Sequence, residues 1–83
     1  MLLHVFTVRD GKADAYLQPF YVPNESVARR AMVDCVQDDN HSFGKHPEDY
    51  ALYALGVYDD SNGKFELLDA PQHLVNLVDL KGE

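Results

Sequence analysis

The sequence is short of basic residues, cysteine, glycine and tryptophan, and each shortage narrows what the chain can do. Seven Lys plus Arg stand against fourteen Asp plus Glu, a formal net charge of −7. Binding phosphates by counterion release needs a basic face, and this bulk charge works against one. Most of the acids read as a solubilising surface. Cys35 is the single cysteine, so an internal disulfide is excluded and a reducing compartment, the cytoplasm, is expected. The five glycines are scattered, so no loop cradles phosphate and no oxyanion motif is present. No nucleophile stands beside a base, and the expectation is a protein that is not an enzyme. Long hydrophobic runs are missing too. The opening MLLHVFTVRD has a short apolar stretch with no basic region before it, which fits neither a signal peptide nor a membrane span.

What is present fits a small α+β domain. With 83 residues, of which 46% are apolar, the chain is expected to form a single domain spanning 1–83. A domain of this size buries a modest share of its surface, and self-association is an ordinary remedy. Leu2 to Val8 reads as a strand ended by the turn pair Asp10-Gly11. His4 falls on the wetter face of that strand. Tyr16 to Val22 reads as a second strand. Pro19 within it cannot donate a ladder hydrogen bond, so the strand belongs at an edge or carries a bulge.

One clear helix follows, Ser26–Gln37, which Asn24 or Ser26 can cap and whose start Glu25 favours through the dipole. Ala28, Ala31, Met32, Cys35 and Val36 share a face at three-and-four spacing. Cys35 is thus an apolar core residue. The stretch from His41 to Asp49 reads as a loop, flexible at Gly44 and stiffened at Pro47. Tyr50 to Tyr58 reads as a central strand. Its simple alternation places Tyr53 on one side with Ala51, Leu55 and Val57, and Tyr58 on the other with Tyr50, Leu52, Ala54 and Gly56. Gly56 marks a bulge or a close backbone approach. Asp59 to Gly63 is a hairpin loop with Asn62-Gly63 in the left-handed positions, and Lys64 to Leu68 returns as the partner strand. The tail, Ala70 to Leu80, fits either a short helix covering the sheet or a final strand, and a short helix or turn around Pro71 to Asn76 followed by extended chain is expected.

Candidate chemistry gathers in two places. His41, His46, Glu48 and Asp49 are metal-capable and lie within nine residues. However, the H-x4-H spacing is not a standard zinc pair and no second pair completes a site. The stretch reads as a polar loop whose carboxylates bond backbone amides, with no metal and no cofactor. His46 with Glu48 or Asp49 could serve as acid and base, yet nothing supplies a nucleophile. Single-stranded nucleic acid is held by aromatic platforms flanked by cations. Tyr16, Phe20, Tyr21, Phe43, Tyr53 and Tyr58 are candidate rings, although without tryptophan most rings must also build the core. The pair Arg29-Arg30 is the candidate phosphate contact, and Phe43, Lys45 and His46 complete the candidate nucleic-acid surface.

Several stretches occur in an order that resembles a known family. They are KADAYLQPFYVPNESVARRAMVD and HPEDYALYALGVYDDSNGKFELLDAP, with His46-Pro47-Glu48-Asp49-Tyr50, Leu52, Gly56 and Asp59 the most specific part. The chain resembles, from about Asp10 to Pro71, the small nonstructural protein of gokushovirus-type microviruses, which are single-stranded DNA phages. The resemblance implies a protein of the host cytoplasm, absent from the mature virion, that assists genome replication or single-strand synthesis and packaging. No catalytic residues are implied. The combined expectation is an antiparallel sheet of about four strands with one main helix packed on one face. It would bind single-stranded DNA or the replication machinery as a homo-oligomer, away from membranes. The alternative is an acidic protein-interaction module that binds a phage or host replication protein without touching DNA.

Overall fold

A computed structural model describes residues 1–82. Strand β1 (Leu2–Asp10) pairs along one side with β4 (Tyr50–Asp59) and along the other with two short strands, β2 (Ala15–Tyr16) and β3 (Phe20–Val22). Strand β5 (Lys64–Asn76) pairs with the free side of β4, and every pairing is antiparallel. The curled sheet therefore runs β2-β1-β4-β5, with β3 continuing the β2 edge. Pro19 falls in the gap between β2 and β3. The edge position and the break both follow from its missing N–H.

Helix α1 (Glu25–Val36) begins and ends one residue earlier than the expected Ser26–Gln37, as the Asn24 alternative for the cap implies. Asn24 is the cap, its side-chain oxygen accepting from the Val27 amide at 3.0 Å, which satisfies one of the orphan donors of the first turn. Ala28, Met32 and Val36 are buried in one cluster with Phe6 and Val8 of β1 and Leu52 of β4. Ala31 and Cys35 pack partly buried against that cluster.

The segment after α1 is more ordered than a flexible loop. It forms a short helix α2 (Ser42–Lys45) and a 3-10 turn, Pro47–Asp49. Gly44 is buried, and a Cβ placed there would lie 2.0 Å from the Asp38 carbonyl oxygen. Glycine is thus required for close packing, and flexibility is not its role. Lys81 anchors the same turn by donating to the Gly44 carbonyl at 2.9 Å.

Two features of the hairpin depart from simple alternation. The β1–β4 register shifts between Val5 and Phe6, which pair with Gly56 and Ala54, so Leu55 is an extra residue in β4. Opposite it on β5 the register jumps from Leu67 to Gln72. Gly56 has φ +147, and a Cβ there would lie 2.2 Å from the Glu66 carbonyl oxygen. A bulge of this kind bends the strand and exchanges the faces its side chains occupy. In the connecting loop only Gly63 is left-handed, at φ +73, while Asn62 is not.

The tail also differs from expectation. Pro71 to Asn76 is strand, and the chain then makes a 3-10 turn over Leu77–Leu80. Pro71 lies within the excursion between Leu67 and Gln72, where no residue pairs with β4. Its missing donor therefore costs the ladder nothing. Leu77 and Leu80 are buried in the core. The expected order is reversed: the extended chain comes first, through Asn76, and the helical turn follows at Leu77–Leu80.

Gly56→Ala is expected to lower stability by about 3 kcal/mol through left-handed strain and the clash with β5. Gly63→Ala, which meets nothing within 4 Å, is expected to cost only about 1–2 kcal/mol. Urea unfolding midpoints of the two variants check this order. At the hairpin loop, Ser61 donates to the Asp59 carboxylate from both its hydroxyl, at 2.6 Å, and its amide, at 2.9 Å. These bonds hold the Asp59 carboxyl below the usual aspartate range. A depressed carboxyl pKa stabilises the fold above the unfolded-state value, and the contribution is lost as pH falls through the folded one. A carboxyl-detected NMR titration should find Asp59 low, and Ser61→Ala should raise it.

A candidate nucleic-acid interface on the open face of the sheet

Residues opposite one another in an antiparallel sheet share a face. One face carries Phe6, Val8, Phe20, Val22, Leu52 and Ala54, all in or against the core cluster to which α1 contributes. The other face carries Leu3, Val5, Thr7 and Arg9 of β1, and the registers align these with a set of aromatic rings. Tyr53 and Tyr58 both belong to this second face, because the extra Leu55 lies between them. The sequence alternation had separated them. Four of the five tyrosines end up here: Tyr16, Tyr21, Tyr53 and Tyr58.

The rings form two rows across the strands. In one, Tyr16 meets Tyr53 edge-on with centroids 5.4 Å apart, and Tyr53 meets His73 edge-on, also at 5.4 Å. In the other, Tyr21 meets Tyr58 edge-on at 5.8 Å, and Tyr58 meets Phe65 at 4.7 Å. Such edge-to-face contacts are worth about 0.5–1.5 kcal/mol each beyond area burial and hold the rings in defined orientations. Between the flanking rings, the smaller Val5 and Thr7 are almost fully shielded from solvent. The Thr7 hydroxyl donates to the Leu17 carbonyl at 2.7 Å, so its burial leaves no polar group unpaired.

The outermost rings remain accessible. Tyr16 is 48% exposed, Tyr21 44% and Phe65 49%. Leu3, Tyr21, Tyr58, Gly63 and Phe65 line a shallow hollow of about 510 Å³. Among the described residues, none of the four tyrosine hydroxyls has a protein hydrogen-bond partner.

Charge is segregated between the two faces. The register positions of the tyrosine face include Arg9 and His73 and no carboxylate. Asp10, Asp59 and Glu66 occupy register positions of the opposite face. Arg9 pairs with Asp14 of the β1–β2 turn, and Asp14 itself adopts a left-handed φ of +55.

The surface expected from the sequence lies elsewhere. Arg29 bonds Glu25 one helical turn away at 2.8 Å, and Arg30 is exposed on the same helix. Lys45 and His46 are exposed, with His46 Nδ1 3.8 Å from Glu48. Phe43 is a correction. Its ring is buried in the core, with the His41 and Tyr50 rings each 4.6 Å away, so it packs the fold and offers no face to a base. The Phe43 amide also donates to His41 Nδ1 at 3.0 Å, which caps α2. His46, Glu48 and Asp49 bring ligand atoms within 4.8 Å of one another, on an exposed rim. Burial raises the Cys35 thiol pKa, and the Asp34 and Asp38 carboxylates push it the same way. Its thiolate is therefore disfavoured at neutral pH. All four tyrosines were among the candidate rings of the sequence, but their alignment on one face was not legible, because it is spread over four strands and needs the bulge to assemble it.

No helix among the described residues is long and apolar enough to cross a membrane. No curated protein and no solved structure matches the chain. A model of the phage ORF5 protein family does match, over residues 3–80, and thus takes in every strand that carries a ring of the two rows. The chain belongs to that phage family.

Proposed function

We propose that this phage protein is a non-catalytic accessory factor that binds single-stranded DNA across the two tyrosine rows during genome replication or packaging. The carrying observation is an aromatic face whose register positions hold no carboxylate, on a chain of net charge −7. Unpaired bases offer π-faces that a duplex hides, and aromatic platforms on open sheets bind them by stacking. Unpartnered phenolic hydroxyls add donors for phosphate or base edges. The resemblance to gokushovirus nonstructural proteins supports the same role, with the host cytoplasm as its location and the mature virion without it. Single-stranded DNA is the ligand on this reading, and neither a metal nor a cofactor takes part.

The second reading is an acidic module that binds a replication protein and leaves DNA alone. The adjacent acids Glu48 and Asp49 on the rim favour it, since clustered charge of one sign guides partner choice.

Titration of labelled oligodeoxynucleotides across a salt series separates the two. Arg9 is the one Lys or Arg at the register positions of the face and already pairs with Asp14, so log K should fall gently with log salt, by about 0.7 per phosphate neutralised. Tyr53→Ala and Tyr58→Ala should each weaken binding by about 1–3 kcal/mol. Arg29→Ala/Arg30→Ala should leave it unchanged; loss of binding in that variant would move the contact to the helix. No binding at low salt leaves the protein-interaction module.

A further inference from the structure

β5 is the outermost strand of the sheet, so one of its sides pairs with β4 and the other pairs with nothing among the described residues. Its residues from Lys64 to His73 are all exposed. The opposite edge is broken by the segment containing Pro19, a common way of blunting an edge. β5 has no such protection over Lys64 to Leu67, which hold regular register with Asp59 to Gly56. Beyond Leu67 the excursion through Pro71 ends the regular template.

That template, Lys64-Phe65-Glu66-Leu67, has a charge pattern that selects a partner. Consider two copies aligned antiparallel about a two-fold axis that keeps both tyrosine faces on the same side. Centring on Glu66 sets glutamate against glutamate, and centring on Lys64 sets lysine against lysine, both unfavourable. Centring on Phe65 sets Lys64 of each copy against Glu66 of the other. Phe65 then meets its counterpart on the tyrosine face, where half of its surface is exposed.

We propose that β5 pairs with β5 of a second copy about Phe65, so that Lys64 and Glu66 form two reciprocal ion pairs and the Tyr21–Tyr58–Phe65 row continues across the dyad. The homodimer extends a sheet that is incomplete at this edge, and each copy contributes a ring row to one aromatic floor. A strand edge this short buries less than the roughly 800 Å² per partner of a standard interface, so association is concentration-dependent. The proposal does not depend on DNA binding, and its test contains no nucleic acid.

Sedimentation equilibrium over a concentration series provides the test, with circular dichroism to confirm folding of each variant. Lys64→Glu alone and Glu66→Lys alone should each weaken dimerisation by about tenfold or more, because each opposes like charges. The double reversal Lys64→Glu/Glu66→Lys should restore it, and an equimolar mixture of the two single variants should form a heterodimer. A wild-type chain monomeric at every concentration, or a dimer indifferent to all three variants, overturns the proposal. A dimer behaving as described while oligonucleotide binding fails would leave this interface standing and remove the DNA-binding reading.

Discussion

One extra residue in β4 decides where the rings of this protein go. Leu55 stands between Ala54, paired with Phe6, and Gly56, paired with Val5. The insertion moves Tyr58 onto the face that already carries Tyr53. It is held in place by the approach of the Gly56 backbone to Glu66, which leaves no room for a side chain. Without the insertion Tyr58 would project with Phe6 and Val8, and the second aromatic row would lose its central ring. The bulge acts on the sheet from both sides, since β5 changes register at the same level. Curling of the sheet, the excursion through Pro71 and the composition of the open face all follow from it.

The two faces are stabilised by different means. On one, α1 and the turns around Phe43, Leu77 and Leu80 close a conventional apolar core. On the other, Val5 and Thr7 are almost fully shielded at register positions opposite Tyr21 and Tyr53, and the Thr7 hydroxyl bonds the Leu17 carbonyl. Aromatic side chains suit this work because each covers a large area with few rotatable bonds. The same rings are thus structural and accessible at once. They brace one another across the strands, and Tyr16, Tyr21 and Phe65 stay largely exposed to water. A face built in this way is rigid before any ligand arrives, so a stacked base would have little ordering cost to overcome.

Much of the fold was legible because its signals are local. Asn24 three residues before the Val27 amide, Pro19 at a strand edge, and the Asp59-to-Gly63 loop between two apolar runs each act within a few residues. The register exchange at Leu55 was not legible, although Gly56 pointed to it. Periodicity fixes a face only while the alternation is unbroken, and a glycine shows that a bulge is near without giving its phase. Phe43 misled for a related reason. A ring in a polar stretch containing His41, Lys45 and His46 looks exposed, and only its place in the core cluster beside the His41 and Tyr50 rings shows it to be buried. The tail was ambiguous because Leu74, Val75, Leu77, Val78 and Leu80 satisfy both strand and helix spacing, and long-range pairing with β4 settles Val75 as strand. The aromatic face is a product of tertiary structure, whereas Arg29 and Arg30 stood out because they are adjacent in the chain.

The acidity of the chain also takes on a different meaning once the faces are separated. A uniform net charge of −7 would repel a polyanion from every side, but here the paired strand positions that bear carboxylates, Asp10, Asp59 and Glu66, lie on the opposite face of the sheet. Field lines from the acids still surround the molecule, so long-range attraction does not steer DNA to it, and association should be slower than for a basic protein. On the proposed reading, a strand in contact would be held by short-range stacking that salt hardly screens. A binder of this kind would hold single strands modestly and release them readily. Such behaviour suits an accessory factor that must surrender the genome during packaging. A strongly basic coat would bind more tightly and would have to be stripped away.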